Sequence, residues 1–112
     1  MTKSRLILAA LGAIVISGVS PSHAQQATEI HVTYSKGQFQ PSAVQAPADK
    51  PVIFRVKNLD AKAMEFESTS LRVEKVVAAN SEGVINVRAL KPGRYEFYDD
   101  FNDKARGALT VQ

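Results

Sequence analysis

The chain has 112 residues, 45% of them hydrophobic and 22% charged, with no cysteine and no tryptophan, which is room for one small domain around a single core. The missing thiol excludes a disulfide framework, a thiol nucleophile, an iron–sulfur cluster, a cysteine-rich zinc site and a cysteine-ligated blue-copper centre. The formal charge of +3 comes from 14 basic and 11 acidic side chains, but two of the basic ones, Lys3 and Arg5, precede an apolar run; without them the balance is near neutral and gives no footprint for nucleic acid.

That apolar run extends uncharged from Leu6 to Val19, and Ser22-His23-Ala24 places small residues where a signal peptidase needs them. The run is shorter than the roughly 20 residues of a membrane span. Residues 1–24 therefore read as a cleaved secretory signal peptide. This leaves 25–112 as the domain, expected in a bacterial periplasm with no membrane insertion after cleavage.

From there the pattern is short alternating runs broken by turn residues, the signature of strands rather than helices. Ile30, Val32 and Tyr34 share one face of a first strand, and Glu29, His31 and Thr33 share the other. Phe39, Val44 and Ala46 mark a bent second segment interrupted by Gly37, Pro41 and Pro47. Val52, Phe54 and Val56 form the clearest strand. Met64 and Phe66 then face one way and Glu65 and Glu67 the other. Leu71, Val73 and Lys75–Val77 follow, then a polar turn over 79–83 and a strand over 84–88. After the turn at Lys91-Pro92-Gly93, Tyr95, Phe97 and Asp99 fall on one face of the penultimate strand. A polar loop over 99–106 and a closing strand over 107–111 complete the chain. Seven to eight strands in so short a chain predict an all-β, antiparallel Greek-key β-sandwich.

Few residues in this frame can do chemistry. His31 is the one histidine of the predicted domain and sits on a polar strand face, with no serine in a nucleophile-elbow pattern near it. The glycines are isolated turn residues, not a phosphate cradle. No catalytic residue and no organic cofactor site is expected. Carboxylates remain. Glu65 and Glu67, about 7 Å apart along one strand face, can converge on a cation, and Asp99, Asp100 and Asp103 form a second group. Such hard oxygen donors suit Fe(III), Mn(II), Ca(II) or Mg(II), and Cu(II) if a thioether or imidazole helps. The plainer reading makes these groups solubilising surface. Met64 is either a thioether ligand or a core residue beside Phe66.

The stretches Ala63–Ser68, Leu71–Val77, Leu90–Phe101 and Gly107–Val111 together resemble EfeO-type cupredoxin-like domains. The resemblance implies a periplasmic cupredoxin-like sandwich that binds iron or copper and assists a ferric permease complex of the Ftr type or a periplasmic iron-uptake subunit. It carries the acidic pair onto Glu65 and Glu67. It also places Met64, Asp99 and Asn102 where blue-copper relatives have His, Cys and His, so no type 1 blue copper is expected. The expected metal site is Glu65, Glu67 and Asp99, with Asp100, Asn102 and Met64 as lesser candidates. Two other roles stand beside it. One is a metal-free module docking to a permease or partner subunit. The other, a stand-alone oxidase, is disfavoured because Fe(II) oxidation needs an electron acceptor that one small site does not supply.

Overall fold

The computed structural model describes residues 26–112; the signal peptide expected over 1–24 lies outside them. The described residues form nine strands: β1 (Thr28–Ser35), β2 (Gln38–Gln40), β3 (Ala43–Ala46), β4 (Val52–Asn58), β5 (Met64–Ser68), β6 (Val73–Val77), β7 (Ser81–Val87), β8 (Gly93–Asp99) and β9 (Asn102–Val111). They build two sheets, a four-stranded one in the order β2-β1-β4-β7 and a five-stranded one in the order β3-β9-β8-β5-β6. The all-β sandwich expected from the alternation is what the chain forms.

Three details differ from the expectation. The bent second segment is two strands, because the chain turns at Pro41 and Ser42 and changes sheets, β2 pairing with β1 and β3 with β9. That crossover makes two pairings parallel, β1 with β4 and β3 with β9, in a sandwich otherwise antiparallel. The expected polar loop over 99–106 is a tight hairpin instead. Only Asp100 and Phe101 turn, and β9 begins at Asn102, with a register shift where Tyr98 faces Arg106 but Asp99 faces Asn102. The residues skipped by that shift form a bulge.

Between the sheets, the inward residues form one hydrophobic core that contains Phe97, which is fully buried. Its ring centroid lies 5.0 Å from that of Phe66, 5.1 Å from Phe39 and 5.5 Å from Phe54, within the range of favourable aromatic pairs. Gly107 is required by this packing. A Cβ there would lie 2.5 Å from Phe97 Cζ and 2.8 Å from the Ser42 carbonyl oxygen, and the carbonyl belongs to a backbone that cannot step aside. Gly107→Ala is expected to cost about 1–3 kcal/mol by overpacking, read as a lower urea midpoint at unchanged denaturant slope.

Two buried polar side chains tie the loops at the ends. Asn58 Nδ2 donates to the carbonyls of Lys62 (2.8 Å) and Ala78 (3.1 Å), and its Oδ1 accepts from Asp60 N (2.9 Å). Ser68 Oγ donates to Glu96 O at 2.5 Å and accepts from Leu71 N at 3.1 Å. His31, the one histidine among the described residues, lies on the exposed face of β1, 3.4 Å from Glu29. Among the described residues no helix is long and apolar enough to cross a membrane.

Candidate functional site

Strand alternation turns Glu65 and Glu67 of β5 to the outer face of the five-stranded sheet, while Met64 and Phe66 go inward. Across the ladder Glu67 is opposite Glu74 of β6. On the other side, the β8–β9 turn brings Asp100 alongside, its backbone N–H donating to Glu65 O at 2.9 Å. Glu65, Glu67 and Asp100 each offer an oxygen, and these atoms all lie within 4.8 Å of one another. That span is about twice a calcium–oxygen distance, so one cation could touch all three after small side-chain movements.

The electrostatics of the group are unfavourable without a cation. Like charges directly across strands destabilise a sheet. Among the described residues, no Lys or Arg comes within ion-pair distance of Glu65, Glu67, Glu74 or Asp100. Partial burial, the hydrogen bond with Asp100 and the nearby charges of Glu74, Asp100 and Glu67 hold the Glu65 carboxyl above its ordinary value of 4.5. An acid whose pKa is raised by folding stabilises the fold while protonated and loses that advantage as it ionises. Metal-free protein is therefore expected to lose stability as pH rises from 4.5 through the raised Glu65 value, and Glu65→Gln to remove that dependence. Carbon-13 titration of the Glu65 carboxyl, with and without Asp100→Asn, measures the shift directly; the variant should move it down.

The remaining expected ligands are placed otherwise. Asp99 is 2% exposed and points inward, away from Glu65 and Glu67. Its Oδ2 accepts from the Tyr34 hydroxyl at 2.5 Å, and its Oδ1 accepts from Glu65 N at 2.8 Å and Phe101 N at 2.9 Å. These donors occupy the carboxylate from three directions, so it organises the hairpin. Burial and the hydrogen bond to Asp99 push the Tyr34 phenol well above its ordinary value, so it remains the donor. Met64 is fully buried in the core. Asn102 is exposed, at the mouth of an end pocket that it shares with Tyr34 and Asp99. Asp103 is outside the cluster, its carbonyl accepting from Arg106 Nε at 3.0 Å. A type 1 copper centre does not fit this arrangement: there is no cysteine, and the residues at the expected ligand positions are a core methionine, a saturated carboxylate and an amide.

Tyr34 is the participant that the sequence reading left among the apolar residues. The available signal was its phenolic oxygen, which needs a partner once alternation buries the ring.

The sequence pattern of the cupredoxin-like domain matches residues 7–111. An uncharacterized protein of Rickettsia prowazekii is 34% identical over 84 residues, covering 74% of this chain and 67% of its own. Among solved structures, the chain is similar to the metal-binding domain of the Cu(I)-exporting P-type ATPase CopA of Streptococcus pneumoniae, with a TM-score of 0.69 at 20% identity over 83% of this chain and 91% of that one. It is also similar to auracyanin A, a blue copper protein of Chloroflexus aurantiacus, with a TM-score of 0.66 at 13% identity over 78% of this chain and all of that one.

Proposed function

As the chain belongs to the cupredoxin-like domain family, we propose that it is an exported metal-binding protein that has exchanged the copper–thiolate chemistry of blue-copper relatives for a carboxylate site on the outer sheet face. The observation that carries this reading is the convergence of Glu65, Glu67 and Asp100, faced by Glu74 and left without a basic partner among the described residues. A cation would offset the repulsion that the fold otherwise tolerates. Oxygen-only donors favour a hard ion, iron before copper. Delivery to a ferric permease complex or a periplasmic iron-uptake subunit rests on the resemblance of the 63–101 motifs to EfeO-type domains, and the periplasmic setting on the leader-like segment over 1–24. Asp99 enters as the residue that positions Asp100, no longer as a ligand.

Calorimetric titration of metal-stripped protein with Mn(II), Cu(II) and chelated Fe(III) tests the reading. The expected result is saturable binding near one ion per chain, weakened at least about hundredfold in the Glu65→Gln, Glu67→Gln, Asp100→Asn variant. Protons compete for the same oxygens, so affinity should fall as pH is lowered through the raised Glu65 value, with the onset above 4.5. Binding that is unchanged in the variant would overturn the site. Absence of binding would leave a docking module.

A further inference from the structure

One end of the sandwich carries a pocket of about 620 Å³, inside the size range of small-molecule sites. Three turns surround it: the β1–β2 turn at Lys36 and Gly37, the β4–β5 loop from Asp60 to Ala63, and the β8–β9 hairpin at Phe101 and Asn102. Its charges are sorted by partner. The Asp60 carboxylate accepts the backbone N–H groups of Lys36 (2.6 Å) and Gly37 (3.1 Å). Asp99 is occupied by Tyr34 and two backbone donors. Both carboxylates keep their charge but are tied to the walls by these donors, which leaves the ammonium groups as the untethered charges of the lining. The ammonium groups of Lys36 and Lys62 have no carboxylate within ion-pair distance among the described residues, and both side chains are exposed at the pocket. Asn102 adds an amide.

The opening is kept by Gly37. Its φ of +70° is a conformation that side chains rarely adopt, and a Cβ there would lie 3.0 Å from Asn102 Nδ2. Beside these charged and polar groups the lining has an apolar part, Ala61, Ala63 and the ring of Phe101, 59% exposed. The volume far exceeds what an inorganic oxyanion fills. Two lysines without an ion pair, lining the same pocket as these apolar groups, match a carbon skeleton that carries two or more carboxylates.

We propose that this end pocket binds a small organic polycarboxylate through Lys36 and Lys62, with Asn102 as a hydrogen-bonding partner and Phe101 covering the carbon skeleton. The site is separate from the carboxylate cluster, since β8 turns Asp99 toward the pocket and Asp100 lies with the outer-face group. It therefore stands or falls independently of metal binding.

The test is a titration of nitrogen-15-labelled, metal-stripped protein with citrate, compared with acetate and inorganic phosphate. Saturable citrate shifts at the amides of residues 36, 37, 61–63, 101 and 102 are expected, with acetate and phosphate each binding at least about tenfold more weakly. Lys36→Gln with Lys62→Gln should weaken citrate at least about tenfold, as removal of ion pairs near a protein surface does, while the Glu65→Gln, Glu67→Gln, Asp100→Asn variant should bind citrate as the parent does. Both lysines are exposed, so the remaining spectrum should be unchanged. No saturable shifts at these amides, or citrate binding that survives the lysine substitutions, would overturn the proposal; phosphate binding as tightly as citrate would overturn its organic part.

Discussion

Asp99→Ala is expected to lower stability by about 3–5 kcal/mol, with a further loss of metal affinity. The substitution removes the acceptor of the Tyr34 hydroxyl and of the backbone N–H groups of Glu65 and Phe101. Each donor left unsatisfied in a buried setting costs roughly 1–3 kcal/mol, and the pocket beside them lets water recover part of it. Asp99→Asn separates the contributions. Its remaining carbonyl oxygen can still serve the two backbone donors, while its amide meets the phenol oxygen, which can turn to accept, so about 1–2 kcal/mol is expected. Urea unfolding followed by circular dichroism at neutral pH reads both values, and the metal titration repeated on Asp99→Asn reads the site. A variant that kept its stability but lost all metal binding would make Asp99 a ligand and reverse its assignment here.

Phe97→Ala should be equally damaging, by about 3–5 kcal/mol. The ring is fully buried and touches the three other core phenylalanines at centroid distances of 5.0–5.5 Å, with Gly107 held against its edge. Those neighbours are anchored in both sheets and cannot all collapse into the space. For a small domain without a disulfide, stability of about 5–15 kcal/mol is the ordinary total, so the variant is expected to be partly unfolded at 37 °C. Phe101→Ala is the matched control. That ring is 59% exposed, and its removal should change stability by less than about 0.5 kcal/mol. Equal losses from the two substitutions would mean that the core is not centred on Phe97.

The strand pattern was legible because period-two alternation is the direct imprint of a two-sheet core. Ile30, Val32 and Tyr34, then Val52, Phe54 and Val56, then Met64 and Phe66 all lie inward as their spacing requires. The outward pair Glu65 and Glu67 followed from the same rule. The rule also contained the distinction between Asp99 and Asp100. Spacing put Asp99 on the face of Tyr95 and Phe97, which is the inner one, but the position of the missing cysteine in the resemblance drew it into the metal site. The beginning of β9 was hidden by composition: Asn102, Asp103 and Lys104 read as loop, and the hairpin depends on Asp99 accepting Phe101 N–H, a side-chain contact with no periodic signature. The parallel partners of β1 and β3 were beyond reach as well, because which strand a given strand pairs with inside its sheet depends on where the chain crosses between sheets, not on local pattern.

The side-by-side placement of a buried Asp99 and an exposed Asp100 restricts how this region can change in length. Removing or adding one residue within β8 would invert the pair, putting the wrong carboxylate against Tyr34 and turning the other away from Glu65. Two-residue changes preserve the faces. Length variation at the penultimate strand should therefore be tolerated in even steps only, and a single-residue deletion at Tyr98 should act as a double lesion, on the fold and on the outer-face carboxylates together.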